Sequence, residues 1–506
     1  MSDRTPDPGE EHADTGSAPD DAHDHAGSPA AASAAVDAQA DPVAAAAQAV
    51  RDADAEAATQ DAATRDTGAE LTAVLTSRGY RALLAISALI GVPVALVAFG
   101  FLALVHWLEH VVWESLPETL GMSEPAGWYA IVVLTLAGLI VGVTIKRLPG
   151  TGGHIPVHGL GGGTPSIPEL PAILIAAIVS LTLGTVVGPE APLVAIGAGA
   201  VLVMIRRTRL HHQPQAQQLL AIAGSSAAIA TIFGNPVVGA VLMLEVVGLA
   251  AGAQVLVALL PAILSAGVGA LVFTGLGEWT GFDAPSLTIP GLGESGLEAG
   301  DLLWTIPIAI VVAVLAQVTR RIGLRVADAA ARRTIPATTA VGLVVGLCAA
   351  VYALITDRPV SDVLFSGETA LTELVGNPQE WAVGTLLLLL LFKGIAYAVS
   401  IGAFRGGPTF PALFLGAAFG IVVGSLPGFD VSAGIAVGMA AATTAVLRLP
   451  ITSIVLVTLL LGSQALSQIP IVMIAAVIGL VTAVSLDRRE SLHRRTPSEP
   501  TPAAPA

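Results

Sequence analysis

The chain has 506 residues, of which 54% are hydrophobic and only 12% charged, with a mean hydropathy of +0.77. Such a composition excludes an ordinary soluble protein and points to a multi-span membrane protein. The net charge of −15 is concentrated at one end: residues 1–75 hold sixteen acidic residues against Arg4, Arg51 and Arg65, a net −13, so the remainder is near neutral and offers no basic surface for nucleic acid.

Residues 1–75 are rich in Ala, Asp and Pro and contain no aromatic residue, which reads as a disordered acidic tail that cannot bury enough apolar surface to order itself. The tail lacks the basic start and short apolar run of a secretory signal, so no cleavage is expected. From Arg81 to about Leu486 the chain is a succession of apolar runs, at 82–105, 128–145, 171–187, 191–205, 216–233, 237–275, 302–318, 338–355, 382–403, 410–426, 432–447 and 451–484. Helices are the default for these runs. Several are shorter than the roughly 20 residues that cross a bilayer and are punctuated by Gly and Pro, so broken or half-crossing helices are expected. The organisation read from them is a first membrane repeat at 76–276, an extracellular loop at 277–300, a second repeat at 301–486 and a disordered tail at 487–506. Basic residues cluster at Arg78/Arg81, Lys146/Arg147, Arg206/Arg207/Arg209, 320–333 and Arg488/Arg489/Arg494/Arg495. The positive-inside rule puts these clusters, and both termini, in the cytoplasm of a cell that carries the protein in its plasma membrane. The single cysteine, Cys348, lies in the apolar run VGLCAAVYALI and suits packing rather than redox chemistry.

The most informative pattern is internal. GPEAPLVAIGAGAVL at 188–202 is echoed by GPTFPALFLGAAFGI at 407–421. Each is followed by a second echo, Gly224…Pro236 and then Gly438…Pro450, both with a spacing of twelve. Duplicated halves with interrupted helices at matching positions point to a transport pathway between repeats. In each segment Gly permits a close approach or an unusual turn and Pro suits the first turn of the helix that follows. A helix that starts inside the membrane presents unpaired N–H groups and the positive end of its dipole, an anion site that carries no full charge.

Glu190 stands at such a helix start, where an ionised carboxylate can take the place of an anion and be displaced by a proton or by an arriving anion; a plain N-terminal cap is the alternative. Glu245, in VLMLEVVGL, reads equally as a proton relay or as the partner of a buried donor. GTGGHIPVHG at 150–159 can form a third turn along the path, with Thr151, Gly153 and His154 in it. His154 and His158 stand four apart without a carboxylate or Cys beside them, so no metal site is expected. Lys393, Arg405 and Arg448 lie in or beside apolar runs and either raise the positive potential along an anion route or cap helix C-termini. A remote reading is an intramembrane hydrolase with Ser225 or Ser226 as nucleophile, which would require His154 within hydrogen-bond reach.

These residues resemble the CLC family of voltage-gated chloride channels and chloride/proton antiporters over roughly residues 80–486. GPEAP at 188–192 is similar to the family's Gly-Arg/Lys-Glu-Gly-Pro, GPTFP at 407–411 to its Gly-x-Phe-x-Pro, and GTGGHIP at 150–156 to its Gly-Ser-Gly-Ile-Pro. FGNPVVGAVLMLEVV and LRLPITSIVLV match two further stretches. The resemblance implies an all-α membrane protein of the CLC-type fold, two inverted helical repeats with tilted and half-crossing helices, assembled as a homodimer with a pore in each subunit. It implies a transporter rather than an enzyme, with no cofactor; the soluble regulatory domain that some relatives carry after the membrane part is not expected in the short stretch that follows residue 486.

By the same resemblance Glu190 falls on the gating glutamate, and the amides around Gly188, Ala191, Gly407, Thr409 and Phe410 fall on anion-binding helix ends. Pro408 removes one such amide, Thr409 replaces the motif's Phe, and the central serine has no clean match among Thr151, Gly153 and His154. No tyrosine corresponds to the family's inner one around Gly462–Gln468. The proton-handling glutamate of the antiporters aligns with Val246, and Glu245 precedes it, turned by about 100° on a helix. The function expected is a chloride-type channel for small anions gated by Glu190, with a proton-coupled antiporter as the alternative.

Overall fold

The computed structural model describes residues 71–494 apart from 161–162, 249–254, 281–295, 297 and 463–464. The acidic tail up to residue 70, most of the 277–300 loop and residues 495–506 lie outside the described residues, as does part of the stretch around Gly462–Gln468. Among the described residues every regular element is a helix, and the sole strand-like pairing is a bridge between Gly188 and Gly407.

The first half contains α1 (Arg78–His110), α2 (Gly127–Arg147), α3 (Leu170–Thr182), α4 (Glu190–Ile205), α5 (Pro214–Phe233), α6 (Pro236–Gly248) and α7 (Val255–Thr280). The second contains α8 (Ala299–Arg332), α9 (Thr334–Thr356), α10 (Glu368–Gly376), α11 (Val383–Ala403), α12 (Thr409–Val423), α13 (Val431–Leu447), α14 (Pro450–Leu461) and α15 (Ala465–Arg494). Among the described residues eight helices are long and apolar enough to cross a membrane, while α3, α4, α6, α12, α13 and α14 are apolar but shorter. The shorter helices follow from the sequence punctuation: Pro opens α6 and α14, and glycines in left-handed conformation end α5 at Gly234, just before α6, and interrupt the turn before α4 at Gly184. Two of the apolar runs each divide into two helices, 237–275 into α6 and α7 and 451–484 into α14 and α15. At its far end α15 continues to Arg494, about two turns past the boundary read at 486.

Lipid tails offer no hydrophobic drive between helices, so close association relies on small residues that let backbones touch. A methyl on Gly138 would strike the Thr338 carbonyl of α9, and one on Gly342 would strike the Leu134 carbonyl of α2. The duplication reappears in the packing. Gly197 of α4 lies against Gly224 of α5, and Gly416 of α12 lies against Gly438 of α13, each pair touching through backbone carbonyls. Those four glycines occupy matching offsets in the two echoed segments, so one helix crossing is built twice. Large apolar side chains such as Leu271, Leu354 and Leu466, the last two 85% exposed, point outward, as the hydrocarbon of a bilayer requires.

Candidate functional site

The two Gly-Pro segments meet. Gly188 N–H donates to the Gly407 carbonyl at 2.7 Å and Gly407 N–H donates back to the Gly188 carbonyl. The next residues, Pro189 and Pro408, adopt nearly the same backbone, φ −83°, ψ −1° and φ −91°, ψ −3°, and serve as N-caps of α4 and α12. Two helices therefore begin side by side in the protein interior, each with its unpaired amides turned toward the junction. Pro408 has no N–H to offer, and its carbonyl is held by the Tyr397 hydroxyl at 2.8 Å. The amide of Phe410 is the one that serves.

Glu190 fills the junction. It is the first residue of α4, wholly buried, and its Oε1 accepts from the Phe410 N–H of α12 at 2.9 Å. The bond therefore runs from one half of the chain to the helix start of the other. Its Oε2 has no partner, and neither has the buried hydroxyl of Thr409. Gly188 and Gly407 are needed on both sides of this carboxylate, because a methyl at either would overlap its oxygens. Ala191 follows in the first turn of α4, buried. The Phe410 ring is stacked on Phe233 at 5.5 Å, which fixes the start of α12 against the end of α5.

The 150–154 loop is joined to the junction through Arg405. Gly150, Thr151, Gly152 and Gly153 all have positive φ, Thr151 at 51° among them, a run that glycine makes accessible and that turns the Thr151 carbonyl toward Arg405. Arg405 Nε and Nη2 donate to that oxygen at 3.2 and 3.0 Å, and its backbone N–H donates to the Ser180 hydroxyl at 3.2 Å. His154 is partly buried, and its Nε2 lies 2.8 Å from the Gly159 carbonyl, with the His158 ring 6.4 Å away. Ser225 donates to the Val194 carbonyl and Ser226 has no partner, so neither serine has His154 as a hydrogen-bond partner.

Glu245 stands apart from the junction. Both of its oxygens are engaged, by Ile451 N–H at 2.9 Å and Thr452 N–H at 2.7 Å, at the start of α14. Lys393, fully buried, donates to the carbonyls of Asp362, Val363 and Leu364 at 3.0, 3.2 and 2.8 Å. Arg448 ends α13 in left-handed conformation and pairs with Asp487. Sequence reading missed Tyr397, Ser180 and Glu368. Glu368, half-buried, opens the short helix α10, where desolvation, followed by the negative charges of Glu190 and Glu109, pushes its carboxyl up to about 8. Ser180 lies 225 residues from its partner Arg405, and no local pattern signals such a pairing.

With this geometry in view, the sequence matches the family model described as voltage gated chloride channel over residues 137–484. The chain belongs to that family, whose members transport ions across membranes. Among curated proteins it is 27% identical over 338 residues to the putative ion-transport protein YfeO of Escherichia coli (strain 55989 / EAEC), and 28% identical to that of Shigella boydii serotype 4 (strain Sb227), covering 66% of this chain and 77% of each relative. The fold is shared with a CLC-type fluoride/proton antiporter, at TM-score 0.62 and 19% identity over 80% of this chain and 96% of the other. It is shared equally with a slow cyanobacterial chloride/proton antiporter, at TM-score 0.62 and 17% identity over 82% and 99%.

Proposed function

We propose that this protein moves chloride or a similar small anion across the plasma membrane through a path of its own in each subunit of a homodimer, and that Glu190 is the gate. The observation that carries this reading is the Glu190 carboxylate on the Phe410 amide, between Gly188 and Gly407. A carboxylate oxygen accepts there the N–H that an anion would take, so a bound side chain and a bound anion exclude each other. Protonation removes the charge that favours the side chain in that place. Both termini are assigned to the cytoplasm, with the basic clusters.

Transport is passive in this reading. A proton-coupled cycle needs a second titratable group that hands protons from the cytoplasm to the gate. By the family resemblance Val246 falls on the position of theirs, and the carboxylate of the preceding Glu245 already has both oxygens on backbone amides. Chloride efflux from liposomes containing the purified protein, measured with and without a pH gradient, tests it. Efflux without proton movement is expected; a fixed proton-to-anion ratio would make the protein an antiporter and sink the channel reading.

A further inference from the structure

Arg405 is 5% exposed, yet every hydrogen bond from its guanidinium goes to a carbonyl: Thr151 from Nε and Nη2, Ala403 and Phe404 from Nη1 at 3.2 Å each. Among the described residues no carboxylate forms an ion pair with it. A buried cation with carbonyl partners alone is costly in a membrane protein and tends to be kept for function. Helix capping accounts for part of it, since Ala403 and Phe404 end α11. A helix C-terminus offsets only about half a unit charge, which leaves roughly half a unit over. The chain's own duplication shows that the fold does not require a cation at this turn. The offset that carries Gly188 to Gly407 carries Val186 to Arg405, and Val186 is apolar and fully buried. Segment 188–192 holds an acid and no base, whereas the 405–411 segment holds a base and no acid. Lys393, a buried cation of α11, is occupied by the carbonyls of the 362–364 stretch.

We propose that Arg405 is the fixed positive charge of the anion path, setting how tightly a small anion is held where the 150–154 loop and the 188–190 and 406–410 turns meet. The assignment rests on the anion-path reading of the preceding section. Taking roughly 8 Å as the separation, half a unit charge at an effective dielectric of about 20 strengthens the binding of an anion about sixfold. Because the site is buried, bulk salt screens the effect little.

The test is the chloride dependence of efflux from liposomes, together with chloride binding by calorimetry, for wild type, Arg405→Gln and Arg405→Lys. Elution volume and thermal midpoint in detergent serve as folding controls. Arg405→Gln is expected to raise the half-saturating chloride concentration and the dissociation constant about sixfold. Arg405→Lys, which keeps the charge but loses the fork on Thr151, is expected to stay within about twofold of wild type. An unchanged Arg405→Gln would overturn the assignment, as would an equal loss in both variants, which would make Arg405 a structural tie. If Arg405→Gln does not fold, Arg405→Lys still decides, because a sixfold rise with the charge retained contradicts the proposal. A wild type that moves no chloride defeats the transport reading itself, while wild-type flux with an unaltered Arg405→Gln defeats only the role of Arg405.

Discussion

Glu190→Gln keeps the size of the side chain that fills the space between Gly188 and Gly407 and removes its charge. When the carboxylate leaves, an anion takes its place, so the cost of burying one negative charge is common to both states. What the substitution changes is the strength of the side chain's own bond to Phe410 N–H, at 2.9 Å. A hydrogen bond to a charged group contributes about 1.5–3 kcal/mol and a neutral one about 0.5–1.5 kcal/mol, a difference of roughly 1–2 kcal/mol or about 5- to 30-fold in gate occupancy. Protonating the wild-type side chain makes the same change, so wild-type chloride efflux is expected to rise by about that factor between alkaline and acid buffer. The sign is fixed by the chemistry: charged and closed at high pH, neutral and displaced at low pH. Glu190→Gln should flatten the profile, and Glu190→Ala should leave efflux high throughout. Chloride release from liposomes at successive pH values from 8 to 5 measures it. A Glu190→Gln protein that retained the wild-type ratio would refute the assignment of the gate.

Other expectations follow from contacts elsewhere in the fold. Glu245→Gln weakens two charge-assisted bonds at the start of α14; the thermal midpoint should fall, by roughly 1–3 kcal/mol of stability, while the pH profile of efflux stays that of wild type. A shifted profile would instead mark Glu245 as a proton relay. Gly438→Ala puts a methyl against the Gly416 carbonyl and should cost about 1–3 kcal/mol in thermal unfolding, with Gly224→Ala similar because its crossing is the duplicate. For Glu368, whose carboxyl is raised to about 8 by burial and by Glu190 and Glu109, the folded state holds its proton more tightly than the unfolded state. Stability is therefore lost as pH rises from 4.5 toward 8. Glu368→Gln should match wild type below pH 4.5 and gain on it progressively up to about pH 8, read as the difference in thermal midpoint.

How legible was this in the sequence? Helices and their interruptions were, because Gly-Pro punctuation and run length are local properties. Runs 237–275 and 451–484 were harder, since composition alone does not show where one long apolar stretch turns back. The meeting of the two Gly-Pro segments was legible only as duplication; that Gly188 and Gly407 pair by backbone hydrogen bonds is a long-range fact. Glu190 could be picked out as a charge in an apolar setting, but its acceptance of an N–H from the opposite helix start depends on how the halves interlock. Glu245 left two roles open in sequence, because an isolated carboxylate looks the same whether it moves protons or holds amides. Tyr397 and Ser180 carried no signal at all, being ordinary residues in apolar helices whose partners lie far along the chain or on its backbone.

The placement of charge departs from the symmetry of the backbone. Glu190 and Glu245 both come from the first half, and both accept from amides at helix starts in the second, α12 and α14. The matching positions of the second half are Thr409 and Leu459, which cannot return the bond as carboxylates. In the turn before α12 the second half supplies a base, Arg405, where the first has Val186. The duplicated glycine crossings make the two halves alike in shape, while this exchange makes them unlike in charge, with acids from one side meeting helix ends and a cation on the other. One consequence is that a carboxylate transplanted to Thr409 would face the start of α4 beside Glu190, two like charges in one buried place. Thr409→Glu should therefore cost stability, read as a thermal midpoint lower than that of Thr409→Gln, which adds the same bulk without the second charge.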